Sequence, residues 1–144
     1  MTKLKIVIPG KIKEKSYDLR IQEYIKWISK YITIEIIYLK ESDLKTLTNK
    51  QLYHINLNNY SICLTEEGKQ YSSVDFSKLI YNQSKEIVFL LGPADGHNKI
   101  IKNKSNIKLS LSNFTFPHEM AFLILVEQIY RAISIHHGSK YHRF

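Results

Sequence analysis

Apolar residues gather into five short stretches, and the intervals between most of them carry helical spacing. Lys3-Leu4-Lys5-Ile6-Val7-Ile8 predicts a first strand that stops at Pro9-Gly10. A basic stretch, Lys11 to Lys15, leads into an amphipathic helix over 16–31, because Tyr17, Ile21, Tyr24, Ile28 and Tyr31 fall on one face. Such a stripe reads as core. Thr33 to Leu39 is rich in β-branched residues and predicts a second strand. The polar, Asn-rich stretch from Glu41 to Tyr60 has only a weak helical pattern and reads as a helix or an ordered loop.

Ser61 to Thr65 predicts a third strand, and Glu66-Glu67-Gly68-Lys69 predicts a turn after it. Ser72 or Ser73 can cap a helix that runs to about Gln83. Glu86 to Leu91 predicts a fourth strand, apolar throughout and therefore buried on both faces, as in a parallel sheet. A glycine-bounded loop, Gly92 to Gly96, follows it, then a short helix over 97–104 and a fifth strand over 107–111. Pro117 suits the first turn of a long helix that Gly138 ends. That helix is apolar almost all round, from Met120 and Phe122 to Ile129 and Ile133, so it is buried within the domain or against a partner. Strands alternating with helices predict an α/β fold, one domain over 1–144 with a mostly parallel sheet flanked by helices.

Composition narrows the class. No apolar run reaches the roughly 18 residues of a membrane span, and no signal-peptide pattern opens the chain, so a soluble cytoplasmic protein is expected. The single cysteine, Cys63, lies in an apolar run and reads as a buried small hydrophobe. It allows no intrachain disulfide and gives no zinc spacing. Lys and Arg total 21 against 13 acidic residues, a formal net charge of +8. Solubility alone can account for that, but a basic protein of this size also suits a polyanion. The excess is strongest after Gly96, where Lys99, Lys102, Lys104, Lys108, Arg131, Lys140 and Arg143 face only Glu119 and Glu127.

Two loops after apolar strands hold the candidate chemistry: Gly92-Pro93-Ala94-Asp95-Gly96, and Ser112 to Phe116 leading to Pro117-His118. In open α/β sheets ligands sit at the carboxyl ends of strands, and glycines there let a ligand approach the backbone. Neither a dinucleotide fingerprint nor a Walker loop is present. His118, His136 and His137 make no recognisable metal site, and His118 alone reads as structural. The tail from Gly138 to Phe144 carries RNA-binding groups: Lys140 and Arg143 for phosphates, Tyr141 for stacking, and His142 for proton exchange. By position alone it reads as a frayed terminus.

Taken together, these segments resemble the bacterial large-subunit rRNA pseudouridine methyltransferases of the SPOUT class. Gly10-Lys11-Ile12-Lys13-Glu14 looks like that family's Gly-Lys-x-Lys-Glu segment, and Gly92 to His97 like its glycine loop. Leu109 to His118 looks like its Leu-Ser-x-Ser-x-x-Thr-Phe-Pro-His motif, Glu127 to Ala132 like its Glu-Gln-x-Tyr-Arg-Ala helix, and Tyr141-His142 like its terminal Tyr-His.

The resemblance implies a C-terminal trefoil knot and a homodimer whose knotted regions pack together, with no metal and no membrane. It implies S-adenosyl-L-methionine as cofactor, lined by Leu64, Gly92, Leu111, Ser112, Asn113, Phe114, Thr115 and Phe116. The implied reaction is methylation of N3 of a pseudouridine in large-subunit rRNA within the assembled ribosome. His142 would assist the departing proton, Tyr141 would position the base, and Arg131 and Arg143 would contact phosphate or base. Two departures stand out. Gly92-Pro93 replaces the family's usual pair of glycines, and the 41–60 region is short. They leave open a ribosome-binding relative with impaired catalysis, and the fold also admits a tRNA substrate.

Overall fold

The computed structural model describes residues 3–93 and 96–143. Among them, five strands form one parallel sheet: β1 (Lys3–Pro9), β2 (Thr33–Leu39), β3 (Asn59–Gln70), β4 (Glu86–Leu90) and β5 (Ile107–Ser110). Five helices connect or follow them: α1 (Lys15–Ile28), α2 (Leu44–Leu52), α3 (Ser73–Tyr81), α4 (Lys99–Lys104) and α5 (His118–His136). The strand order is β2-β1-β4-β3-β5, with β1, β4 and β3 in the interior.

Alternation along the strands sorts the side chains into two cores. Leu4, Ile6 and Ile8 of β1, Ile62 of β3, and Ile87 and Phe89 of β4 face α1, α3 and α5. Val7, Cys63, Val88 and Leu90 face the other way, onto Leu47 of α2 and Ile101 of α4. The sheet is thus covered on both sides, as a continuously apolar β4 requires. Burial pushes the Cys63 thiol up to about 12, which suits an inert packing residue. No helix among the described residues is long and apolar enough to cross a membrane.

Several boundaries differ from the sequence reading. The stretch from Glu41 resolves into α2, because Asp43 caps it by accepting from the Thr46 backbone N–H at 2.7 Å. Helix α1 ends at Ile28, so Tyr31 lies beyond it and is half exposed instead of extending the buried stripe. Helix α4 begins at Lys99 rather than at His97, behind an Asn98 cap, and Pro117 is the N-cap of α5 rather than part of its first turn.

The main correction is at 66–69. These residues do not end the third strand, which runs on to Gln70. Leu64 pairs with Leu109, the chain bulges through 65–68, and Lys69 then pairs with the same Leu109. Strand β3 therefore engages β5 twice. Gly68 makes the close return possible: a Cβ there would stand 2.5 Å from the Leu109 nitrogen and the Lys108 carbonyl carbon. Only the residue without a side chain fits a backbone-on-backbone crossing of that kind.

Candidate active site

Because every strand is parallel, β1, β3, β4 and β5 all deliver their carboxyl ends to one edge of the sheet. A cavity of about 700 Å3 opens there. The β3 bulge supplies one wall with Leu64, Thr65, Glu66 and Glu67; the segment after β4 supplies Leu91, Gly92, Pro93, Gly96 and His97. The segment after β5 closes it with Leu111, Ser112, Phe114, Thr115 and Phe116, and with Pro117 and His118 at the start of α5. The size is that of a cofactor pocket.

Hydrogen bonds hold the lining in place. The Leu91 N–H donates to Val7 O at 2.9 Å, and the Leu91 carbonyl accepts from the buried Gln51 amide at 2.7 Å. The Gly96 N–H donates to Pro93 O at 2.8 Å. On the β5 side, Ser110 Oγ donates to Ser112 O at 2.9 Å, and Ser112 Oγ accepts from the Phe114 N–H at 3.0 Å. Thr115 Oγ1 donates to Glu66 Oε2 at 3.1 Å, which ties the two walls together. The cofactor residues expected from the sequence all line this cavity except Asn113, whose side-chain oxygen accepts from Gln70 Nε2 at 2.7 Å. Ala94 and Asp95 of the expected glycine loop lie outside the described residues.

His97, which closes the glycine-loop match but is not among the expected cofactor residues, also lines the cavity. Its Nε2 lies 2.7 Å from Leu90 O, and a carbonyl can only accept, so Nε2 carries the proton and Nδ1 is left bare. Nδ1 is buried with no partner. Burial lowers the His97 pKa to about 4; the Leu90 bond opposes that shift and Lys102 adds to it. The unfolded chain binds this proton near pH 6.5, well above the folded chain. Stability from His97 is therefore fully present above about pH 6.5 and declines as the pH falls towards 4. Denaturant titrations across that window should show a slope that His97→Gln flattens; equal slopes would remove His97 as its source.

The electrostatics favour a cation. Glu66 and Glu67 border the cavity. Lys102 donates to Glu67 at 2.8 Å and holds its carboxyl below the ordinary range, so that lysine is matched by a carboxylate. A neutral His97 adds no positive charge. Leu64, Leu91 and Leu111 offer apolar surface for a flat ring. These features fit a ligand that carries both a flat ring and a positive charge. Among the described residues, no group of three or more His, Cys, Asp or Glu side chains could hold a metal ion.

The three expected catalytic residues form a second cluster, and none of them lines the cavity. Glu127 of α5 is its hub. It accepts from Arg131 Nη2 at 2.8 Å and from the Tyr141 hydroxyl at 2.7 Å. The Arg131 guanidinium lies over the Tyr141 ring, 4.8 Å from its centroid. With the Tyr141 proton committed to Glu127, Tyr24 donates to the Tyr141 oxygen at 3.2 Å. Burial above all, and then these two hydrogen bonds, push the Tyr141 pKa far up, so the phenol stays protonated. Arg131 Nη1 lies 3.1 Å from His142 Nδ1. A guanidinium only donates, so Nδ1 accepts and the ring proton of His142 sits on Nε2. The tail is thus tied to α5 rather than frayed.

A family model described as "Predicted SPOUT methyltransferase" matches residues 2–142. A protein of Prochlorococcus marinus (strain MIT 9515) named "Ribosomal RNA large subunit methyltransferase H" is 48% identical over 142 residues, covering 98% of this chain and 96% of the relative. Proteins of the same name from Malacoplasma penetrans (strain HF-2) and Caldicellulosiruptor bescii are 36% and 35% identical, over 98% and 97% of this chain and 99% of each relative.

Proposed function

The chain belongs to the SPOUT methyltransferase family, and on that premise we propose that it methylates N3 of a pseudouridine in large-subunit ribosomal RNA within the assembled ribosome, using S-adenosyl-L-methionine. The observation that carries the cofactor assignment is the cavity of about 700 Å3 at the carboxyl ends of β3, β4 and β5, with leucines on its walls and carboxylates at its border. When bound, the cofactor supplies an activated methyl group on a sulfonium. The lining residues bind and orient it, largely through backbone groups of 111–116, while the bare Gly92 lets Gly96 and His97 of the same wall pack closely against it.

A homodimer, with its knotted regions packed together, completes the site in this reading. Its support is the separation of the two clusters: in one chain the Arg131–Tyr141–His142 group lies outside the cavity lining. Further support is the exposed Phe114 at the rim, 78% accessible, and the incompletely buried Met120 and Ile124 on α5, which suit a partner's surface. A trefoil knot over the C-terminal half accords with β5 being engaged on both sides of the β3 bulge. The enzyme acts in the cytoplasm, where its ribosomal substrate resides.

The partner's tail then meets the base. Arg131 and Arg143 attract the phosphates, and Tyr141, held by Glu127 and Tyr24, fixes the position of the base. N3 takes up the methyl group that the bound cofactor supplies as it gives its proton to water. His142, with its proton on Nε2, serves that departure by donating to a carbonyl beside N3, which spreads the negative charge left on the ring. Alignment contributes the rest of the acceleration. His142→Ala should abolish methylation of 70S ribosomes while calorimetry still finds S-adenosylhomocysteine bound with near wild-type affinity. Near-normal turnover would take His142 out of the mechanism, and no heat with wild-type protein would end the cofactor assignment.

A further inference from the structure

The segment between β1 and α1 is basic, pinned and turned towards the solvent. Gly10 opens it with φ +74, and its N–H donates to Leu39 O at 2.6 Å. Ile12 packs against the core, whereas Lys11, Lys13 and Lys15 are exposed. In extended chain, alternate residues project to opposite sides; burial of Ile12 therefore turns Lys11 and Lys13 outward, and Lys15 follows at the helix start.

What sets the height of this segment is a carboxylate far away in sequence. Glu119 Oε1, in the first turn of α5, accepts from the backbone N–H groups of both Lys13 and Glu14 at 3.1 Å. Glu119 follows Pro117 and His118, which line the cavity. The same hydrogen bonds that fix the backbone of the lysine segment therefore tie it to the start of α5, directly after two residues of the cavity lining. Strand β1 also neighbours β4, so the segment leaves the sheet edge next to the loop that carries Gly92 and His97. The ion pair of Lys13 with Glu41 spans 3.8 Å between two exposed side chains and holds little of its charge back.

We propose that Lys11, Lys13 and Lys15 form a docking strip for RNA phosphates at the cavity mouth, and that Glu119 is its positioning residue. The inference rests on the rRNA-methyltransferase reading. The strip carries no base-specific groups; it sets where the RNA backbone lies while the tail meets the base.

Binding of the full-length protein to purified 70S ribosomes, followed across a KCl series, tests this. Each phosphate neutralised contributes about 0.7–0.9 to the slope of log affinity against log salt. The variant carrying Lys11→Ala, Lys13→Ala and Lys15→Ala should lose about two of that slope and bind on the order of tenfold or more weakly at low salt. Its calorimetric affinity for S-adenosylhomocysteine should stay at the wild-type value. Glu119→Ala, with every lysine still present, should lose part of the slope. Glu119→Gln, whose carboxamide oxygen can accept the same two N–H groups, should restore it. A wild-type slope in the triple variant, or loss of S-adenosylhomocysteine binding there, overturns the strip. A wild-type slope in Glu119→Ala overturns the positioning role. Failure of the wild-type protein to bind ribosomes at all sinks the rRNA reading itself, and the strip with it.

Discussion

Gly68→Ala should destabilise the protein by about 3 kcal/mol, the upper end of what forcing atoms into a packed site usually does. The expectation follows from where β3 returns to β5. An added Cβ would sit 2.5 Å from two backbone atoms of Lys108 and Leu109, and backbone cannot step aside as a flexible side chain can. Relief requires the 65–70 segment to lift away from β5, which breaks the pairing of Lys69 with Leu109 and of Gln70 with Ser110. Thr65, Glu66 and Glu67 belong to the lifted segment and form one wall of the cavity. Affinity for S-adenosylhomocysteine should therefore fall together with stability. Gly96→Ala is the control: nothing stands within 4 Å of its added Cβ, and its penalty comes from a φ of +86 alone. Urea unfolding that places Gly68→Ala within about 0.5 kcal/mol of wild type, the range of ordinary surface changes, would mean the crossing is looser than it looks.

That crossing also shows why sequence pattern reached some elements and missed others. Strands β1, β2 and β4 are legible from local composition: β1 from its apolar run closed by Pro9-Gly10, β2 from its β-branched residues, and β4 from an unbroken apolar run that the fold buries almost throughout. Residues 66–69 read as a turn because Glu-Glu-Gly-Lys has the composition of one. They run on as strand because of a partner more than 35 residues away, and no local window holds that information. Helix α2 is hard to read from the sequence for a different reason. Its apolar stripe is short, and its start rests on the Asp43 cap, a signal present in the sequence but weak against an Asn-rich background.

The site divides in the same way. Loops 92–96 and 111–116 were reachable because glycine and motif spacing mark them. The roles of Gln51 and His97 are not: each is a polar side chain that meets a backbone carbonyl, of Leu91 and of Leu90, and which carbonyl needs a donor is settled only by the fold. Glu127 lay inside a recognised motif, yet its role as acceptor for both Arg131 and Tyr141 depends on the tail folding back onto α5.

The separation of the two clusters leads to the sharpest expected result. If each active site joins the cavity of one subunit to the tail of its partner, two dead enzymes should repair one another. Gly92→Val disrupts the cavity side, since even a Cβ at Gly92 would stand 2.9 Å from the His97 nitrogen and 3.1 Å from its ring and would push the lining loop out of place. His142→Ala removes a tail group that lies on Arg131 and is not among the residues lining that cavity in its own chain. Each variant alone should show only background methylation of 70S ribosomes. After the two are unfolded together and refolded, random pairing makes half the molecules mixed dimers. In each mixed dimer, the cavity of the His142→Ala subunit meets the intact tail of the Gly92→Val subunit, while the other site carries both defects. Activity should return to about a quarter of the wild-type value, the share of intact sites that a two-fold dimer allows. Sites built within one chain give a different result, because every site then carries a defect and the mixture stays inactive. Recovery thus depends on the tail crossing between subunits, and its absence in mixed dimers that are demonstrably formed would return the whole reaction to a single chain.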